Sequence, residues 1–376
     1  MLDLDVRAGV CFEAGTGWKP VKVELDEPHD HEVLVRVLAA GLCHSDDHLQ
    51  TGDFSYPLPQ VGGHEACGIV EKVGPGTERV KVGDKVVVSY LPACGHCYWC
   101  SRGMQQICDN GAGSADGFLL DGTPRIFHDG QPVGAMMRVG SFANWLVTDE
   151  AQCVKVDDDL PPEQMSLLSC GVPTGFGAMT KTAEARPGYV CLTMGCGGIG
   201  MNSVQGATVI GARVNIAIDP SEFHRTMALE HFGATHAFAT IDEARDLIAH
   251  ETNGQGVDSA VVAVGITRPE HIAEALTTIR KRGVCAVIGL GAIPDEPVDL
   301  NVNLFDFIVY AKQLRGVLFG WSSFGYDIPN LANMYAAGKY NLNDLVTRTY
   351  PLEDVNQGYA DMHAGRNIRG VLTFDH

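Results

Sequence analysis

The chain has 376 residues, room for two or three domains at about 100–200 residues each. Hydrophobic residues make up 45% and charged residues 19%, ordinary for a globular protein, and no apolar run approaches the roughly 18 residues of a membrane span. The net charge of −19, from 27 basic and 46 acidic residues, repels phosphate backbones, so small molecules are expected as partners and nucleic acid is not. The opening MLDLDVRAGV lacks the basic-then-apolar layout of a signal peptide, and a cytoplasmic setting with reduced thiols is expected.

Residues 1–90 carry short alternating runs such as EVLVRVLAAG and KVGDKVVVSY, rich in Val and Gly, which predict a distorted β-rich region. Within it lie GLCHSDDHLQTGD, with Cys43, and VGGHEACGIVEKVG, with His64 and Glu65. SLLSCGVPTGFGA brings Cys170 much later. A catalytic zinc takes three protein ligands and keeps one position open. Cys43, His64 and Cys170 would supply two thiolates, which offset the charge of the dication, and one imidazole. Asp46 could accept the second N–H of His64 and fix its tautomer. Glu65 is close enough in sequence to sit behind the metal and assist ligand exchange. A lone Cys or His is more often a core or surface residue than a ligand, so these motifs by themselves leave both readings open.

ACGHCYWCSRGMQQIC follows, with Cys94, Cys97, Cys100 and Cys108 spaced C-x2-C-x2-C-x7-C. Four thiols within fifteen residues suit tetrahedral zinc. A closed four-sulfur shell staples a loop and does no chemistry. An iron–sulfur cluster or four unrelated thiols are the alternatives, and His96 is expected to face solvent. Cys11, Cys67, Cys153, Cys191, Cys196 and Cys285 sit in apolar contexts and read as buried, inert thiols.

From about residue 187 strand-like and helix-like segments alternate. Val190–Met194 is a short apolar run, followed at once by Gly195-Cys196-Gly197-Gly198-Ile199-Gly200, a helical stretch, and Val214–Ile218 ending in Asp219. This is the strand, G-x-G-x-x-G, helix, strand and acid unit of a dinucleotide site. Gly195 permits the tight turn, Gly197 lets the backbone approach a pyrophosphate on the helix N-terminus, and Gly200 lets helix and strand pack closely. Asp219 would bond the adenosine ribose hydroxyls and repel a 2′-phosphate, favouring NAD over NADP. Helices over Ser221–Phe232, Ile241–Thr252 and Pro269–Ile279 and strands over Asp258–Val264 and Val284–Gly289 continue the pattern, predicting a mostly parallel sheet with helices on both faces over 172–310. The tail from about 311, with GVLFGWSSF and NIRGVLTF, is strand-like again.

On GLCHSDDH, GGHEACGIVEKVGPG, CGHCYWCSRGMQQIC, SCGVPTG, MGCGGIG and NIRGVL, the chain resembles the zinc-dependent medium-chain alcohol dehydrogenases over essentially its whole length. The resemblance implies an α/β fold, with a doubly wound Rossmann sheet at 172–310 inserted into a β-rich GroES-like catalytic domain at 1–171 and 311–376. It places Cys43, His64 and Cys170 on the catalytic zinc ligands and Cys94, Cys97, Cys100 and Cys108 on the structural ones, two zinc ions per chain. Ser45 falls on the hydroxyl that bonds the alcohol, His48 on the outer histidine of the proton relay, Thr174 near the nicotinamide, and His44 and Arg369 on phosphate contacts. His224 stands where many relatives have Lys, on the ribose side. Cys196 stands where an aliphatic residue is usual, which would crowd the pyrophosphate turn or make it sensitive to oxidation. Phe54, Tyr90, Trp99 and Val139 fall in or near pocket segments, and the 110–140 loop on a pocket wall, implying an apolar alcohol of moderate size.

Within the family, SCGVPTGFGA, DPSEF, TNGQGVD and LVTRTYPLEDVNQGYADM are most similar to the nicotinoproteins that depend on N,N-dimethyl-4-nitrosoaniline. In that group NAD stays bound and an external acceptor reoxidises it. The expected reaction is oxidation of a primary alcohol to the aldehyde, in a homodimer or homotetramer. A thiol-adduct formaldehyde dehydrogenase is a rival, distinguished by dependence on a thiol cofactor. A non-catalytic, zinc-containing nucleotide-binding protein is another, distinguished by one zinc per chain rather than two.

Overall fold

The computed structural model describes residues 1–53, 55–111, 116–157, 159–290 and 299–376. The chain forms two compact units: 1–170, 323–336 and 346–376 make one, and 171–322 with 337–345 make the other.

The first unit holds a small closed barrel and a seven-stranded sheet. Its central strand, Glu32–Gly41, pairs with Ala66–Val73, Trp145–Asp149 and Arg369–Thr373, all antiparallel. Nearly every residue of that strand is buried, so the alternation read from its sequence does not mark a solvent-facing side. Trp18 and Phe142 meet edge to face at 5.2 Å and anchor a core that includes Val33, Val35, Val37, Leu42 and Tyr359. The barrel joins Val6–Cys11, Lys19–Leu25, Ile126–His128, Gln131–Ala135 and Gln60–Val61. Two of those strands correct the expected loop at 110–140, because Ile126–His128 and Gln131–Ala135 are a hairpin that closes the barrel. The two-residue turn is Asp129-Gly130, both at positive φ, the conformation that matches strand twist.

The second unit is a six-stranded, wholly parallel sheet in the order His236–Phe238, Val214–Ile218, Val190–Met194, Val257–Val262, Ile279–Val287 and Gln313–Gly316. The sequence order reverses beside Val190–Met194, which is where a doubly wound sheet opens its ligand crevice. Local signals fix the helices. Ser221 and Thr240 accept N-terminal amides at 3.4 Å, and Asn253, left-handed at φ 51°, closes Ile241–Thr252.

The return to the first unit, expected at 311, comes at Ser323. Gln313–Gly316 adds a sixth parallel strand beside Ile279–Val287, so most of GVLFGWSSF stays with the parallel sheet. Residues 337–345 also belong to the second unit. The tail of the first unit carries two helices, Phe324–Ala336 and Val355–His363, beside its strands.

Gly200 shows how tightly the glycine turn is built. A Cβ there would lie 1.7 Å from the Gly195 carbonyl oxygen. Gly200→Ala is therefore expected to cost about 3 kcal/mol, read as a lower midpoint of thermal unfolding.

Candidate functional site

The strand Glu32–Gly41 leads into a short helix, His44–Thr51, with Cys43 at its N-cap. One carboxylate organises this junction. Asp46 Oδ2 accepts the backbone N–H of Cys43 at 3.1 Å, and Asp46 Oδ1 lies 2.7 Å from His64 Nδ1. Asp46 is fully buried, so a single side chain fixes both the start of the helix and the tautomer of the imidazole. Cys170 arrives from a distant segment. Ser169 next to it bonds both the N–H and the carbonyl of Ala66, each at 3.1 Å, and pins that segment beside His64. No local pattern signals Ser169, because its partner is 103 residues away.

Cys43, His64, Glu65 and Cys170 converge, with candidate ligand atoms all within 4.8 Å of one another and all four residues buried. His64 Nε2 is buried with no hydrogen-bond partner among the described residues, while Nδ1 is held by Asp46. A buried imidazole nitrogen without a partner beside two thiols fits a metal ligand and is costly otherwise. The electrostatics agree. A hydrogen bond from Cys170 holds the Cys43 thiol well below its ordinary range, and Cys43 in turn pushes Cys170 up. Burial opposes charge on His64, but the Asp46 carboxylate outweighs it and raises the ring's pKa. Burial raises Glu65 to about 7 against the pull of Arg369.

Arg369 is buried and ion-paired with Glu65 through Nη2, and its Nε has no partner. Gly41 makes room for this pair, since a Cβ there would fall 2.0 Å from Glu65 Oε2. Ser45 Oγ lies 3.8 Å from Cys43 Sγ, and His44 opens the same helix. His48, 3% exposed, places Nδ1 3.0 Å from Asp53. Tyr90 is buried and meets His64 edge to face at 5.5 Å. Val139 is fully buried in the core of the first unit. Trp99 packs edge to face on Tyr98 in the cysteine lobe. Phe54 lies outside the described residues.

The second cysteine group gathers in a lobe of 3-10 turns. Cys94 and Cys100 sulfurs are 4.0 Å apart and Cys97 and Cys108 sulfurs 3.9 Å, close to the edge of about 3.8 Å that a tetrahedron with ~2.3 Å bonds requires. The amides of Cys97 and Cys100 donate to Cys94 and Cys97 sulfurs, as thiolate ligands favour. Backbone donors pull Cys97 down to about 6. His96 is exposed and its Nδ1 meets the Cys94 carbonyl. A third group, His29, Glu32 and Asp121, is filled by the protein's own cation: Arg125 Nη2 sits 2.7 Å from His29 and 2.6 Å from Glu32.

In the second unit, Gly195 has φ 85°, and a Cβ would strike the Ala263–Val264 backbone at 2.8 Å. At Gly197 a Cβ would meet nothing within 4 Å, so the backbone there faces open space at the start of the helix Gly200–Ile210, as a phosphate cradle requires. Gly198 and Ile199 complete the turn. Asp219 Oδ2 accepts the Cys196 N–H at 2.7 Å, and Oδ1 accepts that of Ser221 at 2.8 Å. His224 Nδ1 lies 3.2 Å from Asp219 Oδ1 and holds the carboxylate's pKa down against burial. The Cys196 side chain is fully buried and directed at the Ile218 carbonyl, with burial pushing its pKa far up, which corrects the expected sensitivity to oxidation. Thr174 is buried on the helix Gly171–Gly177, its hydroxyl without a partner.

Residues 29–158 match the family model "Alcohol dehydrogenase GroES-like domain", and 198–336 match "Zinc-binding dehydrogenase". The chain is 43% identical over 371 residues to the NDMA-dependent alcohol dehydrogenase of Amycolatopsis methanolica, covering 98% of this chain and 99% of that protein. The chain belongs to the zinc-containing medium-chain alcohol dehydrogenases. Alcohol dehydrogenase B of Mycobacterium tuberculosis is 39% identical over 373 residues, 99% of each chain. The crystal structure of benzyl alcohol dehydrogenase from Acinetobacter calcoaceticus superposes with a TM-score of 0.91 at 30% identity, over 99% of this chain and 100% of that one. A GroES-like domain with a zinc-binding dehydrogenase domain is the fold expected from the sequence motifs.

Proposed function

We propose that this zinc-type alcohol dehydrogenase oxidises a primary, apolar alcohol (aryl, terpenoid or longer aliphatic) to its aldehyde, with NAD taking the hydride. The first unit would be the catalytic domain and the second the nucleotide domain. The observation that carries the reading is the buried Cys43–His64–Cys170 group with the partnerless His64 Nε2. Those three residues would hold a catalytic zinc, and the four lobe cysteines a structural one. Zinc supplies Lewis acidity that lowers the pKa of an alcohol, and NAD supplies the hydride acceptor.

The chain's own residues do the rest. Asp46 holds Cys43 and His64 in place. Ser45 accepts the alcohol proton and passes it towards His48. Glu65, paired with Arg369, would assist ligand exchange at the metal. Gly195, Gly197, Gly198, Ile199 and Gly200 would cradle the pyrophosphate, with His44 and Arg369 contributing phosphate contacts. Asp219, with His224 beside it, would bond the adenosine ribose and disfavour a 2′-phosphate. Thr174 would lie at the nicotinamide. The aromatic face of Tyr90 beside His64 supports an apolar substrate.

The similarity to an NDMA-dependent enzyme supports NAD that stays bound and is reoxidised by an external acceptor. Assembly as a homodimer or homotetramer belongs to the same reading. The test is to desalt the protein exhaustively, denature it, and quantify zinc and released nucleotide. Two zinc ions and about one NAD or NADH per chain are expected. One zinc per chain would return the protein to the non-catalytic reading, and an empty nucleotide site would make NAD an exchangeable substrate.

A further inference from the structure

The helix His44–Thr51 ends at Gly52, which is left-handed at φ 84°. That reversal folds the next residue, Asp53, back under the last turn. Asp53 Oδ2 then lies 3.0 Å from His48 Nδ1 and accepts the Thr51 hydroxyl at 2.8 Å. We propose that Asp53 is the positioning residue for His48, holding its ring as the Nδ1–H tautomer so that Nε2 is the nitrogen that takes the proton. The inference rests on the proton-relay reading of His48.

Three observations carry it. First, His48 is 3% exposed, and Asp53 places a carboxylate in ion-pair range of its ring. Second, both acids on that helix are committed elsewhere: Asp46 bonds the Cys43 amide and His64, Asp47 Oδ1 accepts from Gln50 at 2.7 Å, and Asp47 Oδ2 meets His363 Nε2 at 2.6 Å. Among the described residues, His44, on the same helix, and His363, on Val355–His363, are further ionisable groups on this side of the helix. Neither histidine replaces a carboxylate. Third, the contacts to His48 and Thr51 hold Asp53 below the usual carboxylate range, so near neutral pH it is ionised and only accepts. A ring nitrogen facing an accepting oxygen carries the hydrogen, which leaves the lone pair on Nε2 in the neutral ring. Thr51 fixes the carboxylate and Asp53 fixes the ring.

In D53N the side-chain amide can present an N–H to the ring instead, which favours the opposite tautomer. The test compares D53N, D53E, H48Q and D53N/H48Q in the holoenzyme, with two readouts. The first is the 15N spectrum of labelled histidine, with the His48 signals assigned by their loss in H48Q. The parent should show Nδ1–H, D53N should shift towards Nε2–H, and D53E should restore the parent pattern. The second readout is oxidation of benzyl alcohol with N,N-dimethyl-4-nitrosoaniline as acceptor. D53N is expected to lower kcat about 10-fold with little change in KM, and to have no further effect in the H48Q background. A His48 spectrum unchanged in D53N overturns the proposal. So does a D53N defect that persists at full size in H48Q. H48Q turning over like the parent would instead overturn the relay reading, and Asp53's role with it.

Discussion

Cys43→Ser is expected to abolish alcohol oxidation, by ~10³-fold or more, while the chain still folds. Serine is nearly isosteric, and its hydroxyl stays protonated at neutral pH, so the site loses one of two thiolates and its preference for zinc. Asp46 would still bond the residue-43 amide and His64, so the helix His44–Thr51 keeps its start. Metal analysis should fall from two zinc ions per chain to one, and the melting temperature should move little. Full turnover by the variant, or by a protein stripped of metal, would sink the zinc scheme.

The second large effect is structural. Cys100→Ser should release zinc from the lobe and destabilise it, with a lower melting temperature and early proteolysis between Cys94 and Cys108. The lobe has little core to survive on. Cys94 and Cys97 are partly exposed, and Tyr98 is 61% exposed with Met104 and Ile107 also at the surface. A segment of that kind owes its shape to the metal. In the parent chain, while the lobe keeps its shape, Cys97 should alkylate first once metal is withdrawn, because backbone donors hold its thiol down at about 6. Unchanged zinc content and melting in Cys100→Ser would refute a four-sulfur site.

What the sequence disclosed and what it hid follow from range. The glycine turn, its flanking strands and the four-cysteine lobe are local patterns, and Val190–Met194, Val214–Ile218 and Ile241–Thr252 fall where the periodicity puts them. The point of return at Ser323 was hidden because Gln313–Gly316 reads as a strand without saying which sheet it joins. The helix Phe324–Ala336 was hidden by Gly325 and Pro329 near its start, both helix breakers elsewhere. The hairpin at Asp129-Gly130 was readable from its turn residues, yet the surrounding Gly-rich stretch resembled a loop. In the site, ligand types were visible, but the supports were not. Ser169, Tyr90 beside His64, and Asp53 beneath His48 owe their positions to chain reversals and to partners far along the chain.

The two metal groups also differ in how far the chain must close to form them. The lobe ligands run from Cys94 to Cys108, 15 residues, whereas the other set runs from Cys43 to Cys170, 128 residues. Closing the longer loop costs about 2 kcal/mol more in chain entropy, before any packing is counted. During synthesis the lobe is complete while Cys170 has yet to be made. The lobe set is therefore expected to take zinc first, read as zinc content and turnover while metal is titrated into the stripped protein.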